Sequence, residues 1–284
     1  MIRRFRLEQK SLYEKLVIAQ RVADMLEKFL DGRVAPLEIG AETGGIEEWD
    51  DVVVVHSRDS FEHLQIKRQT TDFCTKDPDL QEYLPKLAKH RAARKKKSVK
   101  PASSSSASPD PDDSASVEPA GIDAAKGSLS VLDSAFASLA KHARAGTFAQ
   151  LPERRFQLTL VGANLQIKND LTVNHLDELC KLCRQAGLNP DELAQRVDGP
   201  TTRAHLWLTT WCGFENWTQI IDTLKRVTVI CVGNDATLEQ RSVQSLGRHF
   251  TNPERTLDRL ISVITAETSD VSALGCHAII RELR

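Results

Sequence analysis

The stretch WDDVVVVHS, residues 49–57, constrains the fold of this chain more than any other. Consecutive β-branched valines favour an extended backbone, and successive strand residues point to opposite faces. A strand that is apolar at odd and even positions alike needs cover on both sides. The run therefore predicts a central strand in a layered α/β protein.

Its neighbours along the chain agree. Residues 11–30, SLYEKLVIAQRVADMLEKFL, set Leu12, Leu16, Ala19, Val22, Ala23, Leu26 and Leu30 on one stripe. That spacing predicts an amphipathic helix, capped by Ser11 and ended at Asp31-Gly32. A short extended piece, VAPLEIG, and a Gly-Gly turn lead to the valines. The turn SRDS then feeds FEHLQIKRQ, the second strand of a hairpin.

Residues 91–124 break this pattern. A basic block, a serine run and an acidic proline-rich block follow one another with almost no large apolar side chain, the composition of a disordered linker or loop insertion. Residues 1–90 then form the N-terminal half of a core, and residues 125–284 supply its remainder and a helical C-terminal region. In that second part VLDSAFASLAKHARAG predicts a helix ending at Gly146, RRFQLTLVG a strand, and HLDELCKLCRQAGL a helix closed by Gly187. NPDELAQRV opens another helix with Asn189 as cap and Pro190 in its first turn. Trp207, Trp211 and Trp217 cluster in the next segment, RVTVICVG reads as a buried strand, and helices fill the rest.

Composition excludes several classes. No apolar run reaches the roughly 18 residues of a membrane-spanning helix, and the basic start lacks a signal-peptide core. A cytoplasmic protein without a membrane partner is expected. Cys180 and Cys183 form the only C-x-x-C and share one helical face, which suits small core residues better than a metal or redox pair. With a net charge of -1, a nucleic-acid partner needs a local basic patch, such as RRFR at residues 3–6 or HRAARKKKSVK at residues 90–100. There is no P-loop, G-x-S-x-G or G-x-G-x-x-G.

The tetrapeptide LQIK occurs twice, at residues 64–67 and 165–168. In the first copy, Gln65 and Lys67 point to one face of a strand that follows a strand opened by Asp50 and Asp51. A carboxylate, an amide oxygen and an ammonium meeting at one place suit metal-assisted phosphodiester hydrolysis. Asp51 and Gln65 are hard oxygen ligands for magnesium, and Lys67 can orient a water and stabilise charge on phosphorus. The second copy has no acid on its incoming strand, so Gln166 and Lys168 read as the alternating face of an edge strand. His56 and His63 read as surface residues.

The order helix, acid, strand acid, then Q-x-K resembles the PD-(D/E)XK restriction-endonuclease-like superfamily. The chain looks most like the double-stranded DNA nuclease domains of bacterial anti-phage effectors coupled to cyclic-nucleotide sensing or of Lamassu type. EEWDDVVVV and LQIKRQT carry the resemblance, LYEKLVIAQ resembling the family's first helix. It implies a mixed central sheet flanked by helices and a magnesium-dependent (alternatively manganese-dependent) endonuclease acting on double-stranded DNA. Asp51, Gln65 and Lys67 would be its catalytic residues. Glu14 or Glu38 would complete a metal shell begun by Asp51 and Gln65. Gln65 departs from the usual second acid, which weakens metal binding. A nuclease of this kind needs control, so a sensor or regulatory protein, or a homo-oligomer, is the expected partner. The rival reading is a catalytically inactive DNA-binding or scaffold subunit of the same fold.

Overall fold

The computed structural model describes residues 2–3, 12–42, 46, 48–49, 51–68, 72–73, 130–150, 153–168, 171–185, 199–265 and 274–283. The Ser11 cap, the Gly-Gly turn, Asp50, the 91–124 segment, the basic run at 90–100, Gly187 and the Asn189-Pro190 helix start lie outside the described residues.

The valine run is β3 (Val52–Ser57), an interior strand whose valines are buried on both faces. It pairs antiparallel with β2 (Glu38–Glu42) on one side and β4 (Ser60–Lys67) on the other, and Arg58-Asp59 form the tight turn between β3 and β4. A two-residue strand, β1 (Ile2–Arg3), pairs with the outer edge of β2. β4 then pairs in parallel with β5 (Glu153–Leu160), and β5 with β8 (Val227–Cys231). Among the described residues the result is a mixed six-stranded sheet in the order β1-β2-β3-β4-β5-β8. Because β4 and β5 pair along their whole length, residues on both sides of the 91–124 segment build one sheet.

Helices cover both faces, as a doubly buried strand demands. On one face lies α1 (Leu12–Leu30), backed by α7 (Asp235–Leu246), α8 (Pro253–Thr265) and α9 (Cys276–Leu283). This layer packs on Val52, Val54, Leu64 and Ile66. The opposite face carries α2 (Val131–Arg144), the short α3 (Thr147–Gln150), α4 (Val173–Cys183), α5 (Gly199–Thr210) and α6 (Trp217–Leu224), packed on Phe156, Leu158 and Leu160. Among the described residues, no helix is long and apolar enough to cross a membrane.

The predicted stripe of α1 is buried at its centre, from Leu16 to Leu26, but Leu12 and Leu30 are exposed at the ends. Val17, Ile18 and Met25 are buried too, because α1 is sandwiched between the sheet and the C-terminal helices. Gly32 (φ +70°) and Gly146 (φ +67°) adopt the left-handed conformation just beyond α1 and α2, as the helix-end signals anticipate. The cysteines of the C-x-x-C are buried in α4, where desolvation raises both thiols, Cys183 to about 12. That keeps them protonated core residues.

Three expectations need correction. RVTVICVG forms β8, which is the sheet edge, and only Val227 of the strand is buried. Its β-branched composition cannot by itself distinguish an edge from a centre. The second LQIK contributes β6 (Gln166–Lys168), which pairs with β7 (Leu171–Thr172) in a separate two-stranded ribbon. Its Ile167 and Lys168 are both buried, so the face does not alternate as predicted. Finally, His63 is fully buried, whereas His56 is exposed as anticipated.

Candidate functional site

The hairpin register decides which side chains meet. Val52 pairs with Leu64, so one further step sets Asp51 opposite Gln65 at the end of β4. Asp51 is held there by the backbone: the Ile66 N–H donates to Asp51 Oδ2 at 3.1 Å. The same oxygen lies 3.8 Å from Lys67 Nζ, both side chains being partly exposed. Gln65 and Lys67 sit beside Leu158 and Leu160 of β5, on the sheet face away from α1. Gln65 is 2% exposed, and its Oε1 has no hydrogen-bond partner among the described residues. A buried acceptor left open in this way suits a water or a cation.

The two proposed outer acids are placed differently. Glu14 lies in the first turn of α1, half-buried, in the layer over Leu64 and Ile66. The neighbouring Tyr13 shows which end of the sheet this turn approaches. Burial raises its phenol to about 12, Cys231 and Asp235 add to the effect, and Arg68 opposes it. The start of α1 therefore stands near the ends of β4 and β8, the same end of the sheet as Lys67. Glu38 pairs with Val55 instead, four residues up β3 from Asp51, or about 13 Å at the rise of a strand.

Sequence reading missed a second polar group at this end. Arg68 Nη2 donates to Asp235 Oδ2 at 2.8 Å, joining the residue after Lys67 to the first residue of α7 across 167 positions. Asp235 Oδ1 and Tyr13 Oη are both buried without a hydrogen-bond partner among the described residues. The ND dipeptide at residues 234–235 signals a helix start, and Asn234 does cap α7, but no local pattern reports contact with Arg68.

His63, two residues before Gln65, is built into the core. Its Nδ1 lies 3.2 Å from the Trp49 carbonyl oxygen and its Nε2 2.6 Å from Arg154 Nη1, and the ring stacks on Phe156. This geometry fixes one tautomer: Nδ1–H donates to the carbonyl and Nε2 accepts from the guanidinium.

The donor set is compatible with a weakly held divalent ion. Among the described residues, no three His, Cys, Asp or Glu side chains are grouped to hold a metal. Asp51 and Gln65 offer two oxygens at adjacent register positions. Magnesium keeps several waters and is often bound through one or two carboxylates together with substrate phosphate, so such a pair fits it better than a closed cage would. Comparison with family models, with curated proteins and with solved structures finds no match to this chain.

Proposed function

We propose that the chain is a metal-dependent endonuclease acting on double-stranded DNA, with its reaction centre at Asp51, Gln65 and Lys67. The observation that carries this reading is the meeting of Asp51 and Lys67 at 3.8 Å beside the open acceptor of Gln65. The mixed sheet with helices on both faces is compatible with a restriction-endonuclease-like core. Asp51 and Gln65 would hold magnesium or manganese; Glu14 stands at the same end of the sheet but in the helix layer on its other face, so it would join them only round the strand ends. A bound ion would polarise the scissile phosphate and make a water easier to deprotonate.

The residues of the chain do the rest. Lys67 places an ammonium where negative charge grows on the phosphoryl oxygens, and it can donate to and orient the attacking water. The Ile66 N–H fixes the Asp51 carboxylate, so little reorganisation is needed when substrate arrives. Roles in anti-phage defence, with a sensor protein or self-association as control, rest on the motif resemblance.

One observation favours the rival, a catalytically inactive DNA-binding or scaffold subunit. Asp51 already has an ammonium and a backbone N–H as partners, which is a complete structural arrangement without an ion. Plasmid cleavage separates the two readings. The wild type should cut in magnesium and stop in chelator, and Lys67→Ala should lose at least about a hundredfold, the usual range for one such group. Cutting that survives Lys67→Ala removes the site. DNA binding without cutting in either metal supports the scaffold reading.

A further inference from the structure

At the opposite end of the sheet the chain builds a basic cleft that neither reading uses. A cavity of about 430 Å³ is lined by Arg154 and Arg155 of β5, by Arg184, and by Lys225 and Arg226. Among the described residues Glu153 is the only acid in its wall, so their formal charges of +5 and -1 leave +4. The chain as a whole carries -1. Such a concentration focuses potential on an anion.

Part of this charge has a local explanation. Arg184 and Lys225 follow the last turns of α4 and α6, where a cation complements the helix dipole. Arg184 also donates to the Val227 carbonyl oxygen, and Arg155 and Lys225 make exposed ion pairs with Glu153 and Asp222. Exposed pairs of this kind are weak and are readily exchanged for a better anion.

Arg154 and Arg226 are fixed in another way. The Arg154 guanidinium lies 5.3 Å over the Phe61 ring and bonds His63, and Arg226 lies 5.7 Å over Phe148. Two guanidinium planes are thus pre-set on aromatic faces, which lowers the entropy lost when they bind.

We propose that this cleft binds an anion carrying at least two adjacent phosphates. Charge selects the class: +4 matches a di- or triphosphate chain better than a simple dicarboxylate, and guanidinium forks fit phosphate oxygens. The Phe61 and Phe148 faces are covered by Arg154 and Arg226, so they offer no stacking platform for a base. Recognition is therefore of phosphate, with no preference among bases. The cleft is also remote from Lys67. Arg154 pairs with Phe61 and Leu160 with Lys67, which separates the two places by about 20 Å of strand. Helices cover the sheet face between them, so one straight duplex does not serve both.

Calorimetric titration in chelator, away from any cleavage readout, tests this independently of the nuclease reading. The probes are sodium tripolyphosphate, ATP and a short DNA duplex. Tripolyphosphate should bind, and ATP should bind about as well. Affinity should fall with added salt. The Arg155→Gln/Lys225→Gln double variant should weaken binding about tenfold or more with an unchanged unfolding midpoint, since both side chains are exposed. Lys67→Ala should leave tripolyphosphate binding as it was. Duplex that competes with tripolyphosphate, and is lost in the double variant, identifies a nucleic-acid backbone as the source. Tripolyphosphate binding without duplex binding identifies a free polyphosphate. No binding by the wild type, or equal binding by the double variant, overturns the proposal.

Discussion

Lys67 and Lys168 end identical tetrapeptides and have opposite surroundings. Lys67 stands at the open end of β4, partly exposed, with one carboxylate oxygen at 3.8 Å. Lys168 is buried in the β6-β7 ribbon, with Asp133 Oδ2 at 3.1 Å and its Nζ 3.7 Å from the Trp211 ring centroid. Asp133 is equally well satisfied. Its Oδ2 accepts from the Ser130 N–H, closing the capping box of α2, and its Oδ1 accepts from the Trp207 indole at 2.7 Å. The segment after the first copy reaches the second: Phe73 N–H donates to the Gln166 carbonyl oxygen, and the Gln166 N–H donates to Asp72 Oδ1. The same four residues thus end in a buried latch in one place and in a partly exposed ion pair in the other. What differs is the partner that the fold brings opposite the lysine, and how much water reaches the pair.

The largest test of that contrast is Lys168→Ala. It leaves the Asp133 carboxylate buried without its ammonium, which costs about 3–5 kcal/mol in comparable buried pairs. Urea denaturation should show a fall in unfolding free energy of that size. Pairing the substitution with Asp133→Asn should restore part of the loss, because the uncompensated charge is gone. A loss below about 1 kcal/mol would mean the buried pair behaves like a surface one.

Gln65→Leu comes next and has the opposite sign. The substitution removes an open acceptor from a buried position at similar volume, so stability should rise by about 1 kcal/mol. Plasmid cutting should fall in the same variant. A stabilised protein that still cuts at full rate would show that the Gln65 oxygen has no part in the reaction.

Much of the layered fold was legible because it depends on local chemistry. Four valines require a covered strand, and SRDS turns it back on FEHLQIK. The two glycines beyond α1 and α2 close those helices as their positions suggest. The juxtaposition of Asp51 with Lys67 was legible for the same reason, since a tight hairpin fixes register. Longer-range placement was not. Glu38 was a second candidate for the acid preceding Asp51, but the β2-β3 register carries it to Val55. His63 looked like a surface residue because its partners, Trp49 and Arg154, come from other segments. The basic cleft is assembled from Arg154-Arg155 at the start of β5, Arg184 at the end of α4 and Lys225-Arg226 between α6 and β8, which are far apart in the sequence. The burial of Lys168 was not legible because its carboxylate lies 35 residues earlier, beyond any local pattern.

The smallest expected effect closes the comparison. Lys67→Ala removes an ion pair whose members are 24% and 22% exposed, and pairs of that exposure contribute roughly 0–1 kcal/mol. Asp51 keeps its hydrogen bond from the Ile66 N–H, so no buried charge is abandoned. The unfolding midpoint should barely move, and what remains of the shift should shrink as salt is raised. Set beside Lys168→Ala, this gives one tetrapeptide a large stability effect at one site and almost none at the other. A lysine kept in a half-open cluster without stabilising the fold is what a reacting group would look like. If Lys67→Ala destabilises as much as Lys168→Ala does, both lysines are latches and the case for chemistry at Asp51 loses its main support.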